Sequence, residues 1–407
     1  MRRTIRSWRG EAIAPVQWLD PLPEQVRFPL SVEINRCAVA PVVRASAEVS
    51  LGEIVAQGEA LCLHASVPGR VERADAEEIV IRRGPPSSVR SRSAPARLTG
   101  AEALAVMARE MGLVGMGGSL FPASVKLGAA RRIHSLIINA VECEPGVQID
   151  EALLLYETDT VRAGMDCVTS ALDIPRRVLA VKRASVRRVQ PLLAACEAEV
   201  LAMPNRYPAG AEKLIVGRLE RRMPPAGVLP VQLGYLVLSV ASLWALGRWH
   251  LHGEPSILRP LSLVVSHNPT RNLFVPVGTP VSHLLHAQGV EFDAEKHLMV
   301  TGGLMMGMRA TPETPILKGT NAVFVQPVPP RLLRAEAPCI LCGACFDACP
   351  LNLHPSGMME RIKSGKRSAA LTAQLNECFL CGACAAVCPS DIPLAHYFRE
   401  AKRTRRP

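Results

Sequence analysis

Two runs, "CILCGACFDACP" and "CFLCGACAAVCP", limit what this chain can fold into more than any other feature. They place Cys339, Cys342, Cys345 and Cys349, then Cys378, Cys381, Cys384 and Cys388, at the spacing C-x2-C-x2-C-x3-C-P. Ligands at every third residue of a tight loop wrap three corners of one iron–sulfur cubane, while the fourth cysteine leads into a helix and reaches the other. The expected ligand sets are therefore Cys339, Cys342, Cys345 with Cys388, and Cys378, Cys381, Cys384 with Cys349. Gly343 and Gly382 allow close approach, and Pro350 and Pro389 turn the chain after the last ligand. Zinc is the competing reading, but zinc sites use two separated pairs rather than four cysteines in a run. Two [4Fe-4S] clusters are expected, in the pattern of two-cluster bacterial ferredoxins.

The chain has thirteen cysteines, and the other five (Cys37, Cys62, Cys143, Cys167, Cys196) are scattered singly. They read as inert core thiols, which implies a reducing compartment. Net charge is +11, with arginines concentrated at the two ends. These ends read as solvated tails, contact with an acidic partner or an anionic membrane surface being the other reading. No nucleic-acid partner is expected. Arg2 and Arg3 are followed by Trp8, Arg9 and Glu11 rather than an apolar run, so the start does not read as a signal peptide. The longest apolar stretch, residues 228–246, carries Pro230 and Gln232 near its start. The remainder is short for a hydrocarbon core of roughly 30 Å, and a buried helix against a parallel sheet is expected. Any membrane contact would then be peripheral.

Residues 1–84 show apolar alternation broken by Gly52, Gly58 and Gly69. They resemble the flattened β-sandwich of lipoyl and biotinyl carrier domains, but the hairpin tip "LHASVPGR" has no attachment lysine. Residues 85–97 form a polar, proline-rich linker. Residues 98–255 read as a Rossmann-like α/β domain. A helix starts at Thr99 with a Thr99/Glu102 capping box, "SLIINAV" and "RVLAVK" suit buried parallel strands, and a helical stretch from Glu151 lies between them. Residues 256–328 give strand, strand, helix, strand, a small mixed domain of the β-grasp kind. A second proline-rich linker (325–334) leads into residues 335–407, the double-cluster helical domain. The expected fold class is multidomain α/β.

Between the first helix and "SLIINAV" lies "VGMGGSLFPASVKL" (114–127). Glycines at 115, 117 and 118, in a loop that ends in Lys126, let backbone amides approach a phosphate. "NAVECEPG" (139–146) comes next, at a strand's carboxyl end, where ligands of open α/β sheets bind. Asn139, Glu142 and Glu144 are candidate cofactor-binding residues, with Gly115, Gly117, Gly118 and Lys126. The competing reading is that the two glutamates only cap strand-end amides. No catalytic side chain is assigned.

These stretches, with "YPAGAEKLIVGRLERRMPPAGVLP" and "GGLMMGMRATPETPILKGTNAVFV", resemble the C subunit of the Rnf ion-translocating electron-transport complex over nearly the whole chain. The α/β and β-grasp parts are also similar to the flavin-bearing subunit of respiratory complex I, and cobalamin reductases of microcompartments share the architecture. The resemblance implies FMN reduced by NADH and electrons leaving through the two clusters to other membrane subunits, on the cytoplasmic face of the inner membrane. Ser119, Leu120 and Ala123 depart from the family's Ala, Gly and Thr. A leucine there would project over the pocket or redirect the loop. The opposing expectation is therefore an adaptor that binds no nucleotide and links a ferredoxin or flavodoxin to membrane subunits; a corrinoid reductase is the weaker third.

Overall fold

The computed structural model describes residues 5–6, 12–85, 99–266, 268–329, 335–365 and 368–404. The linker at 85–97 lies, but for residue 85, outside them.

A parallel four-stranded sheet organises the α/β region. Its strands run Glu199–Met203, Arg176–Lys182, Ser135–Ala140 and Tyr235–Ser239 across the sheet. Alternate residues of the central strand face opposite layers. Leu136 and Ile138 pack with the helices Thr158–Leu172 and Val240–His252, while Ile137 packs with the Glu212–Leu219 helix. All four strands end on one edge, at Ala140, Lys182, Met203 and Ser239.

Two local expectations change. Residues 228–246 are not one helix: a 3-10 turn at Pro230–Leu233 is followed by the strand Tyr235–Ser239 and then the Val240–His252 helix. Gly234 at φ 79 and the Ser239 N-cap, which accepts from the Ser242 amide, cut the run. No described helix is long and apolar enough to cross a membrane. Thr99 precedes the Gly100–Glu110 helix in extended geometry but makes no side-chain cap bond, so the capping box does not form.

The first region folds as a four-stranded sheet (Gln25–Pro29, Glu78–Arg83, Gly69–Ala74, Glu48–Val49) facing a three-stranded one (Ala40–Pro41, Ile54–Gln57, Cys62–His64). The lysine-free tip is buried, and Ser66 donates its hydroxyl to the Val277 carbonyl. The tip is thus a docking element. The third region is a six-stranded mixed sheet, and its outer strand, Val16–Trp18, comes from the chain's start and pairs parallel with Arg271–Pro276. Trp18 packs on Phe274 there, so Val16–Trp18 belongs to this sheet rather than to the sandwich. Among the described residues the last region is five helices, Ala344–Ala348, Pro355–Lys363, Ala369–Glu377, Ala383–Ala386 and Leu394–Arg403, around a core of Met358, Leu371, Leu375 and Phe398.

Candidate cofactor-binding site

The glycine loop is closed on itself at its base. The Gly115 amide donates to the Phe121 carbonyl at 2.8 Å, and the Leu120 amide to the Gly115 carbonyl at 3.2 Å. Ser119 folds back over Gly115, where a β-carbon would meet its hydroxyl. Gly117 and Gly118 form the exposed crest, and among the described residues nothing beyond its chain neighbours lies within 4 Å of a β-carbon added at Gly118. The Met116 amide donates to Ser242 Oγ at 3.1 Å, which ties the loop to the first turn of the Val240–His252 helix.

Leu120 does not project over this crest. It sits at φ 54, a left-handed conformation that glycine takes freely. Its side chain turns towards Gly319 and lines a small cavity with Leu61, Val114, Val277 and Lys318. The cavity belongs to the seam between sandwich, glycine loop and third sheet, and none of Asn139, Glu142 and Glu144 lines it.

Those three stand at the sheet's carboxyl edge. Asn139 accepts from the Val141 amide and donates to the Gly210 carbonyl. Glu142 is buried: one carboxylate oxygen accepts from the Asp150 amide at 2.7 Å, while the other, Oε2, has no hydrogen-bond partner among the described residues. Asp150 in turn accepts from the Ala241 amide at 3.1 Å, at the amino end of the Val240–His252 helix. Burial, and Asp150 beside it, push the Glu142 carboxyl well above the usual range, and burial does the same to Asp150. Glu144 reaches across to the third sheet, accepts from the Met305 amide at 3.2 Å and lies over Gly303; burial raises it to about 7. Cys143, between the two glutamates, is pushed up to about 12 by burial, as suits an unreactive thiol.

Lys126 is not brought to an open cradle. Its ammonium is held by Glu212 at 2.6 Å and the Val237 carbonyl at 2.7 Å. Two buried cations that bear on this edge were missed from the sequence. Lys182, at its strand's end, lies 3.9 Å from Glu151, and Arg259 donates to the Thr320 and Lys318 carbonyls while facing Asp150 and Glu142 electrostatically. A signal was present for Arg259, a lone charge in the apolar run "ILRPLSLVV", whereas Lys182 closes "VLAVK" directly before Arg183 and reads as a strand end.

The eight cysteines fall into two groups. Cys339, Cys342, Cys345 and Cys388 line one cavity with Met359 and Leu394. Burial raises Cys378, Cys381 and Cys384, and Cys349 beside them adds to each shift. The Leu353 amide donates to Cys349 Sγ at 3.4 Å. A donor set of four thiols per group suits an iron–sulfur cubane, whose positive charge would favour the thiolates that burial alone disfavours.

The second cysteine loop is docked on the strand-end loops. Tyr207 donates its hydroxyl to the Cys381 carbonyl at 2.6 Å, Gly382 lies against the Met305 carbonyl, and Lys213 pairs with Glu377. Met305 is the residue whose amide Glu144 holds. The candidate flavin edge and the second cysteine group are thus joined through two residues.

Known proteins extend these observations. Residues 108–248 match the family described as the Nuo51 FMN-binding domain, and residues 338–392 the 4Fe-4S dicluster domain. The FMN-binding match covers the glycine loop and the sheet edge; the other covers all eight clustered cysteines. Among solved structures, a chain of an NAD+-reducing [NiFe]-hydrogenase in the air-oxidized state shares the fold at 18% identity (TM-score 0.51), over 74% of this chain and 61% of that one. The C subunit of the ion-translocating oxidoreductase complex of Rhodobacter capsulatus is 32% identical over 94% of this chain and 78% of its own length. Its counterpart in Edwardsiella ictaluri is 34% identical over 72% of this chain but only 38% of its own length. The C subunit of the proton-translocating ferredoxin:NAD(+) oxidoreductase complex of Clostridium ljungdahlii is 29% identical over 83% of this chain. With its cluster-type cysteine runs, flavin-type sheet edge and near full-length likeness, the chain belongs to the family of C subunits of Rnf-type ion-translocating oxidoreductase complexes.

Proposed function

We propose that this chain carries electrons between NADH and the membrane subunits of an Rnf-type complex, by way of FMN and two [4Fe-4S] clusters. The cluster nearer the flavin edge would be held by Cys378, Cys381, Cys384 and Cys349, and the farther one by Cys339, Cys342, Cys345 and Cys388. The observation that carries this reading is the docking of Cys381 and Gly382 on Tyr207 and Met305, beside Glu144.

FMN, when bound, supplies the exchange between a two-electron donor and one-electron carriers. The residues present fit such a group: the Gly118 crest is open, and the orphaned Glu142 oxygen is a buried acceptor, or a donor when protonated. The backbone of Gly115, Gly117 and Gly118 would approach the cofactor, with Asn139, Glu142 and Glu144 along the strand end. The Lys126–Glu212 pair would sit at the margin, its charge already balanced by the glutamate.

The test is anaerobic purification followed by acid extraction. The expected result is released FMN together with about eight irons per chain, and bleaching of the flavin by NADH. Full iron without flavin, and no response to NADH, would leave the ferredoxin- or flavodoxin-linked adaptor instead. Placement on the cytoplasmic side of the inner membrane is part of the same proposal.

A further inference from the structure

The two cysteine loops are near copies, "CILCGAC" and "CFLCGAC". Their backbones match as well. Leu341 and Leu380 are left-handed at φ 54 and 59, Gly343 and Gly382 come after them at 74 and 77, and each loop runs into a helix, at Ala344 or Ala383. Their surroundings differ. The second loop is covered by this chain: Cys381 and Leu380 are half-buried, Tyr207 bonds the Cys381 carbonyl, and Gly382 rests on Met305. The first loop is bare among the described residues. Cys339 and Cys342 are exposed, Ile340 is 67% exposed, Leu341 82% and Phe346 43%. Phe346 stands where the second run has the small, half-buried Ala385.

A single exposed leucine needs no explanation. Three large exposed apolar side chains on one cysteine run do, because exposed apolar surface of this kind marks interaction sites. The covered twin shows what fits over a loop of this shape: a protein surface that brings a hydroxyl donor to the carbonyl of the loop's second cysteine and apolar contact beside the glycine. We propose that the Ile340–Leu341–Phe346 face docks a second redox protein, which covers the loop as Tyr207 and Met305 cover its twin. The occupant must carry its own redox group, since the cavity behind the loop is lined by Cys339, Cys342, Cys345 and Cys388 and would be taken up by their cluster. This rests on the reading that the clusters carry electrons.

Two experiments on the full chain test it. The first puts a photo-crosslinking side chain at Leu341 within the complex in native membranes. An adduct with another redox subunit is expected. Adducts only with lipid or with a second copy of this chain, or no adduct at all, would overturn the proposal. The second loads the clusters with dithionite, so that it depends on neither NADH nor FMN, and follows their reoxidation by membranes stripped of this chain. In Leu341→Glu the rate should fall roughly tenfold or more, with iron content and both clusters' electron-spin signals unchanged. Phe346→Ala, which introduces the twin loop's own residue, covers the case in which L341E loses iron, and should slow transfer by roughly threefold or more. Unaltered transfer in a variant with full iron would sink the idea. If the NADH reading fails but reoxidation still depends on Leu341, the surface stands without it.

Discussion

Leu120 is the residue whose meaning changes most between sequence and structure. Spacing marks it as an intruder in a glycine loop, but spacing cannot tell on which side a left-handed residue presents its side chain. In the structure the backbone keeps a glycine-like φ of 54, and the leucine fills the seam against Gly319. The conformation costs about 1–2 kcal/mol, and partial burial of the side chain returns a comparable or larger amount. Leu120→Gly should therefore leave FMN content and NADH affinity unchanged while lowering stability by roughly 1 kcal/mol. Flavin extraction beside thermal unfolding checks both halves; a gain in flavin affinity would show that the leucine does obstruct the site. The same seam holds Lys318, buried, with its ammonium 2.6 Å from the Gly112 carbonyl. Burial lowers it from 10.5 to about 7. Between these values the folded chain binds fewer protons than the unfolded one, so this lysine makes stability rise with pH, by up to about 1.4 kcal/mol per unit. Below about pH 7 its penalty is constant. Lys318→Met should flatten the slope, as read from urea midpoints taken between about pH 7 and 9; equal slopes in both proteins would mean that Lys318 stays charged.

At the scale of elements, the helix pair behind the sheet fixes the cofactor edge. Thr158–Leu172 and Val240–His252 cross at two glycines. A β-carbon on Gly164 would lie 1.9 Å from the Leu243 carbonyl oxygen, and one on Gly247 1.8 Å from that of Thr160. Both obstacles are backbone, so no rotamer change relieves them. Helix propensity favours alanine over glycine by about 1 kcal/mol. Forcing the helices apart costs more, about 2–3 kcal/mol, the upper part of the usual range for overpacking, because the neighbours are rigid backbone. Gly164→Ala should therefore destabilise the chain despite its better propensity, and it should lower flavin content, because the amino end of the second helix carries Ser242, which holds the Met116 amide. A thermal scan with flavin extraction is the measurement, and a G164A variant as stable as the parent would refute the close crossing. Neither the crossing nor the split of residues 228–246 into strand and helix was readable from hydropathy. The stretch is apolar throughout because strand and helix are both buried, and periodicity does not separate two buried elements.

For the whole molecule, long-range connections decide the assembly. Those set by spacing were legible and those set by packing were not. The parallel strands Ser135–Ala140 and Arg176–Lys182 could be read because buried strands are continuous apolar runs. The strand Val16–Trp18 could not be assigned to the third sheet, since three residues carry too little pattern to name a partner roughly 250 positions away. The crossing of the cysteine runs is the functional case. Cys349 belongs to the first run in sequence but adds to the shifts of Cys378, Cys381 and Cys384 in the second, while Cys388 lines the cavity of the first. This crossing predicts paired losses. Cys349→Ser and Cys378→Ser should remove the same cluster, the docked one, and leave identical residual electron-spin spectra with iron falling from about eight to about four per chain. Cys388→Ser and Cys339→Ser should share the other spectrum. In the first pair NADH should no longer reduce the remaining cluster at the parent's rate, since the step beside Tyr207 is gone, whereas dithionite should still reduce it fully. If C349S instead matched C339S, each run would hold its own cluster, and the path from the flavin edge would have to enter by another loop.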